Sequence, residues 1–301
     1  MKVLSLFDGI SCGMVALERA GIPVERYVAY EIDDYAIQIS KKNYPHIEQC
    51  GDVTTADFTQ YKGFDLLIGG SPCQDLCGMG SRKGLNGEKS SLFFEFVRAV
   101  REVKPRYFLL ENNASMTQEN KDAISEIMGV EPVFINSLDF TAQNRKRLYW
   151  TNIPISEWKP KGITLKDIAQ PIEEKRDYLI TDKVNKYLSK EYDGRKIQNV
   201  VRSKIRTLNE TSKCLGTYCG DYGNNTGLII KYEDDYYSIT PVEAERLQTL
   251  PDNYTECVPT KKRFFGIGNG WSVDVIAHIF KNIAPIREQS RSEWLDELLG
   301  G

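Results

Sequence analysis

Short apolar runs separated by longer, helix-like stretches dominate the first half of the chain. Each run has four or five mostly apolar positions and ends at glycine, proline or a polar residue, which is typical of a strand buried on both faces of a sheet. The predicted strands cover residues 2–6, 27–30, 64–68 and 107–110. Apolar residues at helical spacing predict helices over about 14–20, 91–103 and 118–128. Strands that alternate with helices predict an α/β fold with a doubly wound, mostly parallel sheet.

The strand at 64–68 runs into Gly69-Gly70-Ser71-Pro72-Cys73-Gln74. This order places Cys73 on a loop at the carboxyl end of a strand, where open α/β sheets bind their ligands. Pro72 fixes its own φ and disfavours helix at Ser71, so the loop has few shapes. An ionised thiol there can act as a nucleophile, whereas a neutral one is more often a small buried apolar group. The residues alone leave both roles open for Cys73.

Three further strand ends carry groups suited to a nucleoside. The first strand leads through a turn with Gly9 and Gly13 into a helix, which brings backbone N–H groups close to a ligand. The turn lacks the Gly-Lys-Ser/Thr of phosphate-binding loops, and this favours a nucleoside without phosphate. Glu31 and Asp52 end the next two strands, where carboxylates can accept from a ribose hydroxyl and an adenine amine. Together these positions predict an adenosine pocket along one sheet edge.

Glu111 follows the strand at 107–110 and is therefore expected beside Cys73. A carboxyl group in that place can act as an acid or as a hydrogen-bond partner for a bound base. The asparagines at 112–113 are expected to shape the turn. Three cations at 145–147 lie between two predicted strands, where they could hold a phosphate or a carbonyl oxygen.

Composition changes after residue 152. The stretch 195–213 holds six cations against the single acid Glu210, a net charge of +5, and a turn-rich segment follows at 220–227. This pattern suits a surface that binds phosphates, with Arg202, Lys204 and Arg206 as candidates, and a loop that reaches base edges. An ordinary charged surface would have the same composition, so the basic stretch alone does not decide its role.

A second glycine-rich segment, 266–272, precedes an apolar stretch at 273–283. Its pattern resembles that of the first glycine turn, so we expect a glycine loop that enters a helix. The C-terminal part of the chain would then complete the nucleoside pocket.

Length, charge and cysteines narrow the class of protein. With 301 residues the chain can bury a large core, and its seven cysteines at irregular spacing indicate a reducing compartment. No apolar run reaches the length of a signal peptide or a membrane span. We expect a soluble, intracellular protein without a membrane partner. A net charge of −3 restricts any nucleic-acid surface to a local patch.

Taken in order, these residues resemble the cytosine-C5 DNA methyltransferases over about 1–152 and 240–283. The matching motifs are Phe7-Asp8-Gly9…Gly13, Glu31, Asp52, Pro72-Cys73-Gln74, Glu111-Asn112, Gln143-x-Arg145-x-Arg147, Arg246-Leu247-Gln248…Pro251 and Gly268-Asn269. The layout is similar to that of the compact bacterial or phage enzymes. This resemblance implies a small target-recognition domain at 153–240, inserted into a catalytic domain formed by 1–152 and 241–301, and a location in the cytoplasm near the nucleoid. Three motifs are most similar in residue identity to the catalytic domain of the animal de novo methyltransferases: Ser71-Pro72-Cys73, 92–96 and 270–273. Asn113 departs from the family, which usually has valine there.

The resemblance implies a DNA (cytosine-5-)-methyltransferase with a Rossmann-like fold. It would transfer a methyl group from S-adenosylmethionine to C5 of a cytosine flipped out of double-stranded DNA, with S-adenosylhomocysteine as product and no metal. Cys73 would add to C6 of the base, Glu111 would hold N3 and N4, and Arg145 and Arg147 would bind O2. Gln74 and Asn112 would contact the substrate. The residues implied to bind S-adenosylmethionine are Phe7, Asp8, Gly9, Ile10, Ser11, Gly13, Glu31, Ile32, Asp52, Val53, Ser71, Pro72, Leu92, Asn269, Gly270 and Trp271.

Two other classes stay open at this point. His46-Ile47-Glu48 upstream of Pro72-Cys73 is similar to the zinc nucleobase deaminases, but three residues separate Cys73 from Cys77 where that signature has two. A catalytically silent DNA-binding relative is the other class, and Asn113 is the residue that keeps it open. RNA is a minor alternative as substrate.

Three further properties do not follow from the residues. They are the DNA sequence recognised, the presence of a partner restriction nuclease, and the oligomeric state. We expect a monomer or a weak homodimer, with Phe94 as a candidate contact.

Overall fold

The computed structural model describes residues 1–71, 91–189, 195–221 and 227–283 of the chain. The chain forms two compact units. Unit 1 consists of Met1–Ile135, Lys146–Glu157 and Val275–Gly301, and unit 2 consists of Asn136–Arg145 and Trp158–Asp274. Each unit is therefore built from segments that lie far apart in the sequence.

The larger sheet positions the predicted site. Its strands are β1 (Lys2–Leu6), β2 (Arg26–Tyr30), β3 (Glu48–Gln49), β4 (Leu66–Gly69), β5 (Tyr107–Asn113), β6 (Val133–Asn136) and β7 (Lys146–Thr151). They form one seven-stranded sheet in the order β3-β2-β1-β4-β5-β7-β6. Strands β1 to β5 pair in parallel and β7 pairs antiparallel with β5. The order reverses at β1, and this switch point is where doubly wound sheets bind ligands. The predicted fold class is confirmed.

Helices pack on this sheet through apolar stripes. They are α1 (Cys12–Arg19), α2 (Asp34–Asn43), α3 (Ser91–Val103) and α4 (Gln118–Met128). In α3 the residues Phe93, Phe96 and Val100 recur at helical spacing and are buried against Phe108 of β5 and Trp150 of β7. The helices predicted over 91–103 and 118–128 are thus confirmed, and Phe94 lies exposed on α3.

Unit 2 has its own small sheet and core. Its helices and strands are α5 (Leu165–Ile168), α6 (Thr181–Leu188), α7 (Arg195–Arg202), β8 (Ile205–Thr207), β9 (Ile229–Tyr232), β10 (Asp235–Ser238), α8 (Pro241–Leu247) and α9 (Thr260–Asn269). Helix α10 (Val273–Phe280) follows, and from Val275 onward it belongs to unit 1. The sheet order is β10-β9-β8. Helix α8 begins in a capping box, because Thr240 accepts from the Glu243 backbone N–H and Glu243 accepts from the Thr240 N–H.

A buried ion pair supports the start of α8. Lys175 Nζ lies 2.6 Å from Glu243 Oε1, and both side chains are fully buried. Loss of hydration lowers the pKa of Lys175, and the attraction of Glu243 opposes that shift. The Lys175 ammonium also lies over the rings of Tyr232 and Tyr237. These contacts tie the segment before α6 to β9, β10 and α8 within unit 2.

Helix α9 corrects one prediction. Residues 266–269 were expected in a glycine loop, and this is wrong because they form the last turn of α9. The glycine has a packing reason instead. A Cβ on Gly268 would lie 2.4 Å from the carbonyl carbon of Gly216, closer than any side chain tolerates. The glycine at 268 thus permits close contact between a helix and a neighbouring backbone.

The two compact units do not coincide with the predicted domains. Residues 136–145 and 241–274 pack within unit 2, although the sequence places them in the catalytic domain. The units are defined by packing and the predicted domains by function, so the boundaries of the functional domains stay a prediction. Among the described residues, no helix is both long enough and apolar enough to cross a bilayer.

Candidate active site

The turn between β1 and α1 has an unusual backbone. Phe7, Gly9 and Ser11 all have positive φ, at 58°, 61° and 59°. Asp8 fastens this turn by accepting hydrogen bonds from the hydroxyls of Ser5, Ser11 and Tyr27. Loss of hydration raises the pKa of the Asp8 carboxyl, and these hydroxyls oppose the shift. Non-glycine residues in this conformation carry strain that is typical of functional turns.

Glu31 lies at the end of β2 and faces the glycine turn. Its carboxylate accepts from the backbone N–H of Gly9, Ile32 and Asp33, each at 2.8 Å. A carboxylate has about four acceptor positions, so these bonds leave room for one more donor. Ile32, the next residue, has 73 % of its surface exposed. An acceptor beside an exposed apolar side chain is suited to a ribose hydroxyl and a flat heterocycle.

Asp52 follows β3 and caps a short 3₁₀ helix. Its Oδ1 accepts from the Thr54 N–H and hydroxyl at 2.8 Å, and these bonds lower the pKa of Asp52. The neighbouring backbone is held by Arg98 of α3, which donates to the carbonyls of Val53 and Ala56. Sequence reasoning missed Arg98.

The local pattern around Arg98 gives no signal of that role. Glu95 and Glu102 flank it at helical spacing and form ion pairs with it, which is typical of any exposed helix. The guanidinium also lies 4.3 Å from the centre of the Phe58 ring. Its reach to the backbone at 53–56 depends on how α3 packs, and the sequence does not specify that packing.

Ser71 lies two residues after the end of β4. Within the described part of the chain its hydroxyl is buried and has no hydrogen-bond partner, which is costly unless a ligand supplies one. Its carbonyl accepts from the Asn112 side chain. Pro72, Cys73 and Gln74 lie outside the described residues. Of the other residues implied to bind cofactor, Ile10, Gly13 and Val53 are buried, and Leu92 is half-buried on α3.

Glu111 and Arg147 meet across β5 and β7. Arg147 Nε lies 2.7 Å from Glu111 Oε1, and the two side chains are 12 % and 11 % exposed. The antiparallel register pairs Asn113 with Arg147, which puts Arg147 diagonally opposite Glu111. Asn112 and Asn113 were expected in a turn, and this is wrong because they are the last two residues of β5 and pair with β7; their side-chain oxygens accept from the N–H groups of Asn113 and Ser115.

Arg145 has a different environment, inside unit 2. Its guanidinium is buried and donates to the backbone carbonyls of Leu215, Gly268 and Gly270. Gln143 donates to the Leu247 carbonyl and accepts from the Leu215 N–H. These bonds indicate that Arg145 positions backbone, and its contact with a base stays a prediction.

The cationic stretch is only partly exposed. Arg202 is exposed at the end of α7, and Arg206 is half-buried and donates to the carbonyls of Ser203 and Ile205. Lys204 is 3 % exposed, and loss of hydration lowers its pKa, so the expectation of an exposed cation is wrong for this residue. Asn269, Gly270 and Trp271 lie at the end of α9 and just after it in unit 2, and their role in binding cofactor stays a prediction.

Comparison with known proteins adds an independent observation. The family model described as C-5 cytosine-specific DNA methylase matches residues 1–285. The type II methyltransferase M.NlaX of Neisseria lactamica is 29 % identical over 300 residues, which are 92 % of this chain and 94 % of that protein. M1.ScrFI, a type II methyltransferase of Lactococcus lactis subsp. cremoris, is 27 % identical over 96 % of this chain and 79 % of its own.

Among solved structures, the Entamoeba histolytica methyltransferase EhMeth superposes with a TM-score of 0.75 at 16 % identity, covering 95 % of this chain and 99 % of that one. At this identity the likeness concerns the fold.

Proposed function

Because the chain belongs to the C-5 cytosine-specific DNA methylases, and is therefore a DNA cytosine-5 methyltransferase, we propose that Cys73, Glu111 and Arg147 form its catalytic group. The observation that carries this proposal is the register of the parallel strands. Gly69, the last residue of β4, pairs with Leu110 of β5, so Glu111, the next residue of β5, lies beside the segment that leads to Cys73. We therefore place the nucleophile and the base-holding carboxylate on the neighbouring strands β4 and β5, towards the carboxyl edge of the sheet where such folds bind ligands.

The residues of unit 1 fit the adenosine part of S-adenosylmethionine, which supplies the methyl group in this family. The spare acceptor of Glu31 suits a ribose hydroxyl, and the exposed Ile32 side chain offers an apolar face for adenine. Asp52 presents a carboxylate that can accept from the adenine amine. The unpartnered Ser71 hydroxyl is a further candidate contact. Arg98 would fix the position of the turn that carries Asp52, because it donates hydrogen bonds to the backbone of that turn.

Cys73 attacks the base. Its thiolate adds to C6 of the flipped cytosine, which raises electron density at C5 and allows C5 to take the methyl group. Loss of the C5 proton and cleavage of the sulfur–C6 bond then restore the aromatic ring and the free thiolate. Glu111 holds N3 and N4 of the base, while Arg147 orients Glu111 and reaches O2.

Duplex DNA is the substrate that fits this chemistry best. A C6 attack requires access to the face of the ring, so the target base must leave the stack. The exposed Arg202 and the neighbouring Arg206 are the phosphate contacts we propose in unit 2. Bacterial relatives of nearly full length support action in a bacterial cytoplasm. For the oligomeric state we propose a monomer or a weak homodimer.

Methyl transfer from radiolabelled S-adenosylmethionine to mixed-sequence duplex DNA tests the proposal. Cys73→Ser is expected to abolish labelling, and Glu111→Gln to slow it by about 100-fold or more, because each removes a group needed in the transition state. Sequencing the product for 5-methylcytosine identifies the target site. Wild-type labelling by either variant would refute the catalytic assignment. A wild type that binds cofactor and DNA yet labels neither DNA nor RNA would favour a silent relative. The family match gives the deaminase alternative no support.

A further inference from the structure

A buried chain of hydrogen bonds runs through unit 1 from the β1–α1 turn to β3. The Ser11 hydroxyl lies 2.5 Å from Asp8 Oδ2 and 2.7 Å from Ser40 Oγ of α2. The amide nitrogen of Gln49 in β3 donates to Ser40 Oγ at 2.8 Å. Both serine side chains are fully buried. The chain thus joins a turn, a helix and a strand that lie far apart in the sequence, and no step of the proposed reaction uses Ser40 or Gln49.

The chemistry of the two ends fixes the direction of these bonds. An amide nitrogen only donates, an ionised carboxylate only accepts, and a hydroxyl has one hydrogen to donate. Ser40 therefore accepts from Gln49 and donates to Ser11. Ser11 in turn donates to Asp8. Bonds aligned in one direction polarise one another, so each strengthens the next.

Asp8 receives this chain and fastens the glycine turn. Its other carboxylate oxygen, Oδ1, accepts from the hydroxyls of Ser5 and Tyr27. Ser11 has a φ of 59°, a conformation that costs a residue other than glycine free energy. Its backbone N–H also donates to the Asp8 carbonyl, at 3.2 Å. The bonds between Ser11 and Asp8 therefore help to hold the turn in its strained shape.

Gln49 extends the chain to the second part of the proposed nucleoside pocket, because Asp52 follows it by three residues. Strand β3 has only two residues, so its few backbone bonds fix this segment weakly. Within the described ranges, Gln49 Oε1 is buried and has no hydrogen-bond partner. Such an unpaired acceptor costs stability, which fits a residue whose useful bond is the one that Nε2 donates to Ser40.

We propose that Ser40 and Gln49 are positioning residues for S-adenosylmethionine. This inference rests on the proposed function. They act through Ser11 and Asp8, hold the glycine turn in place and tie it to the segment that carries Asp52. A pocket that is already ordered loses less conformational entropy when its ligand binds. Loss of the chain should therefore weaken cofactor binding more than it slows the chemical step.

The variant Ser40→Ala tests this proposal, with Ser125→Ala as the matched control. Ser125 is also a buried helical serine of unit 1, and its hydroxyl accepts from Trp150 Nε1 at 3.0 Å. The Kd for S-adenosylhomocysteine is measured by isothermal titration calorimetry. Ser40→Ala is expected to raise it by about 2- to 10-fold, the net contribution of one hydrogen bond. Ser125→Ala should match the wild type, and circular dichroism shows whether each variant is folded.

Two further measurements separate positioning from a general loss of stability. In steady-state methylation kinetics, Ser40→Ala should raise KM for S-adenosylmethionine, while kcat at saturating cofactor changes less than KM does. In a double-mutant cycle, Asp8→Asn and Ser40→Ala together should raise Kd by less than the product of their separate factors. Residues that act through one chain of bonds are coupled in this way.

Wild-type affinity of Ser40→Ala for S-adenosylhomocysteine would overturn the proposal, and so would equal weakening in Ser125→Ala. If Ser40→Ala does not fold, Gln49→Met at a half-buried position takes its place, and an unchanged Kd would refute the proposal there. A wild type that binds S-adenosylhomocysteine without transferring methyl would overturn the catalytic proposal alone, and the Kd ratio would still decide on Ser40. A wild type that does not bind it would overturn both.

Discussion

At the scale of single residues, Glu111 and Arg147 show how one side chain compensates the charge of another and positions it. Both are nearly buried, and a carboxylate in such a place is costly unless a cation compensates it. Arg147 does so from the adjacent antiparallel strand, and its planar guanidinium can contact Glu111 and a substrate oxygen together. Lysine carries the same charge without that geometry. The pair therefore depends on the shape of the cation as well as on its charge.

Arg147→Lys is expected to lower kcat/KM for DNA methylation by about 100- to 1000-fold, the range found when a positioned transition-state donor is lost. The affinity for S-adenosylhomocysteine should stay near that of the wild type, because the cofactor residues we propose are untouched. Steady-state kinetics and isothermal titration calorimetry measure the two quantities. Lys146→Ala, at an exposed neighbouring position, is the control. A fully active Arg147→Lys enzyme would show that the geometry of the guanidinium is not used.

At the scale of elements, α9 is defined by how closely it approaches a neighbouring backbone. Glycine near the end of a helix usually suggests a loop or a cap, and this is why residues 266–272 were expected in a loop. The structure shows that Gly268 is needed for contact with Gly216 and Thr217. Arg145 and Gln248 then both donate to the Gly270 carbonyl, so the end of α9 is held from two sides. Helix α9, the backbone at 216–217 and the side chains of Arg145 and Gln248 therefore pack together within unit 2.

Gly268→Ala tests that interpretation through protein stability. Helix propensity alone would favour alanine by about 1 kcal/mol. The added methyl group would meet backbone atoms of Gly216, which cannot move aside as a flexible side chain can, so we expect a net loss of about 1 to 3 kcal/mol. Urea denaturation followed by circular dichroism measures the change in the free energy of unfolding. Lys261→Ala at an exposed position of the same helix should change it by less than about 0.5 kcal/mol. A more stable Gly268→Ala protein would contradict the close contact.

At the scale of the whole molecule, the charge that matters for DNA binding is local. A chain with net charge −3 has no general attraction for DNA, so its affinity must come from the few cations that face the duplex. Of the three candidates in the basic stretch, the structure leaves Arg202 exposed and Arg206 half-buried, whereas Lys204 is in the interior of unit 2. Charge counted along the sequence therefore exceeds the charge available at the surface.

The double variant Arg202→Ala/Arg206→Ala is expected to weaken duplex binding and to flatten its salt dependence. Each lost phosphate contact should reduce the slope of log Kd against log salt by about 0.9. The measurement is fluorescence anisotropy at several salt concentrations. Lys62→Ala, an exposed cation of unit 1, serves as the control for nonspecific loss of charge. An unchanged slope in the double variant would move the proposed phosphate contacts to another surface.

Much of the fold followed from local patterns. Strands β1, β2, β4 and β5 and the helices at 91–103 and 118–128 were predicted, because burial of a strand or of one helix face leaves a pattern in the residues that form it, whereas β8 to β10 were not predicted. The motif order was enough to indicate the family, since chemistry at strand ends needs particular residue types in a particular sequence. The same patterns could not identify Arg98 as a support, because an arginine between two glutamates is common on exposed helices.

Periodicity and motif order thus sufficed for the fold class, the family and the positions of Glu31 and Asp52 just after strands, whereas β5 continues three residues beyond its predicted end and includes Glu111. The partners of Arg145 and the burial of Lys204 required the folded chain. The physical reason is the distance along the sequence over which each interaction acts. Backbone preferences and amphipathic spacing act between residues close in sequence, whereas burial and hydrogen bonding depend on segments that meet only after folding, as residues 145, 216 and 268 do in unit 2.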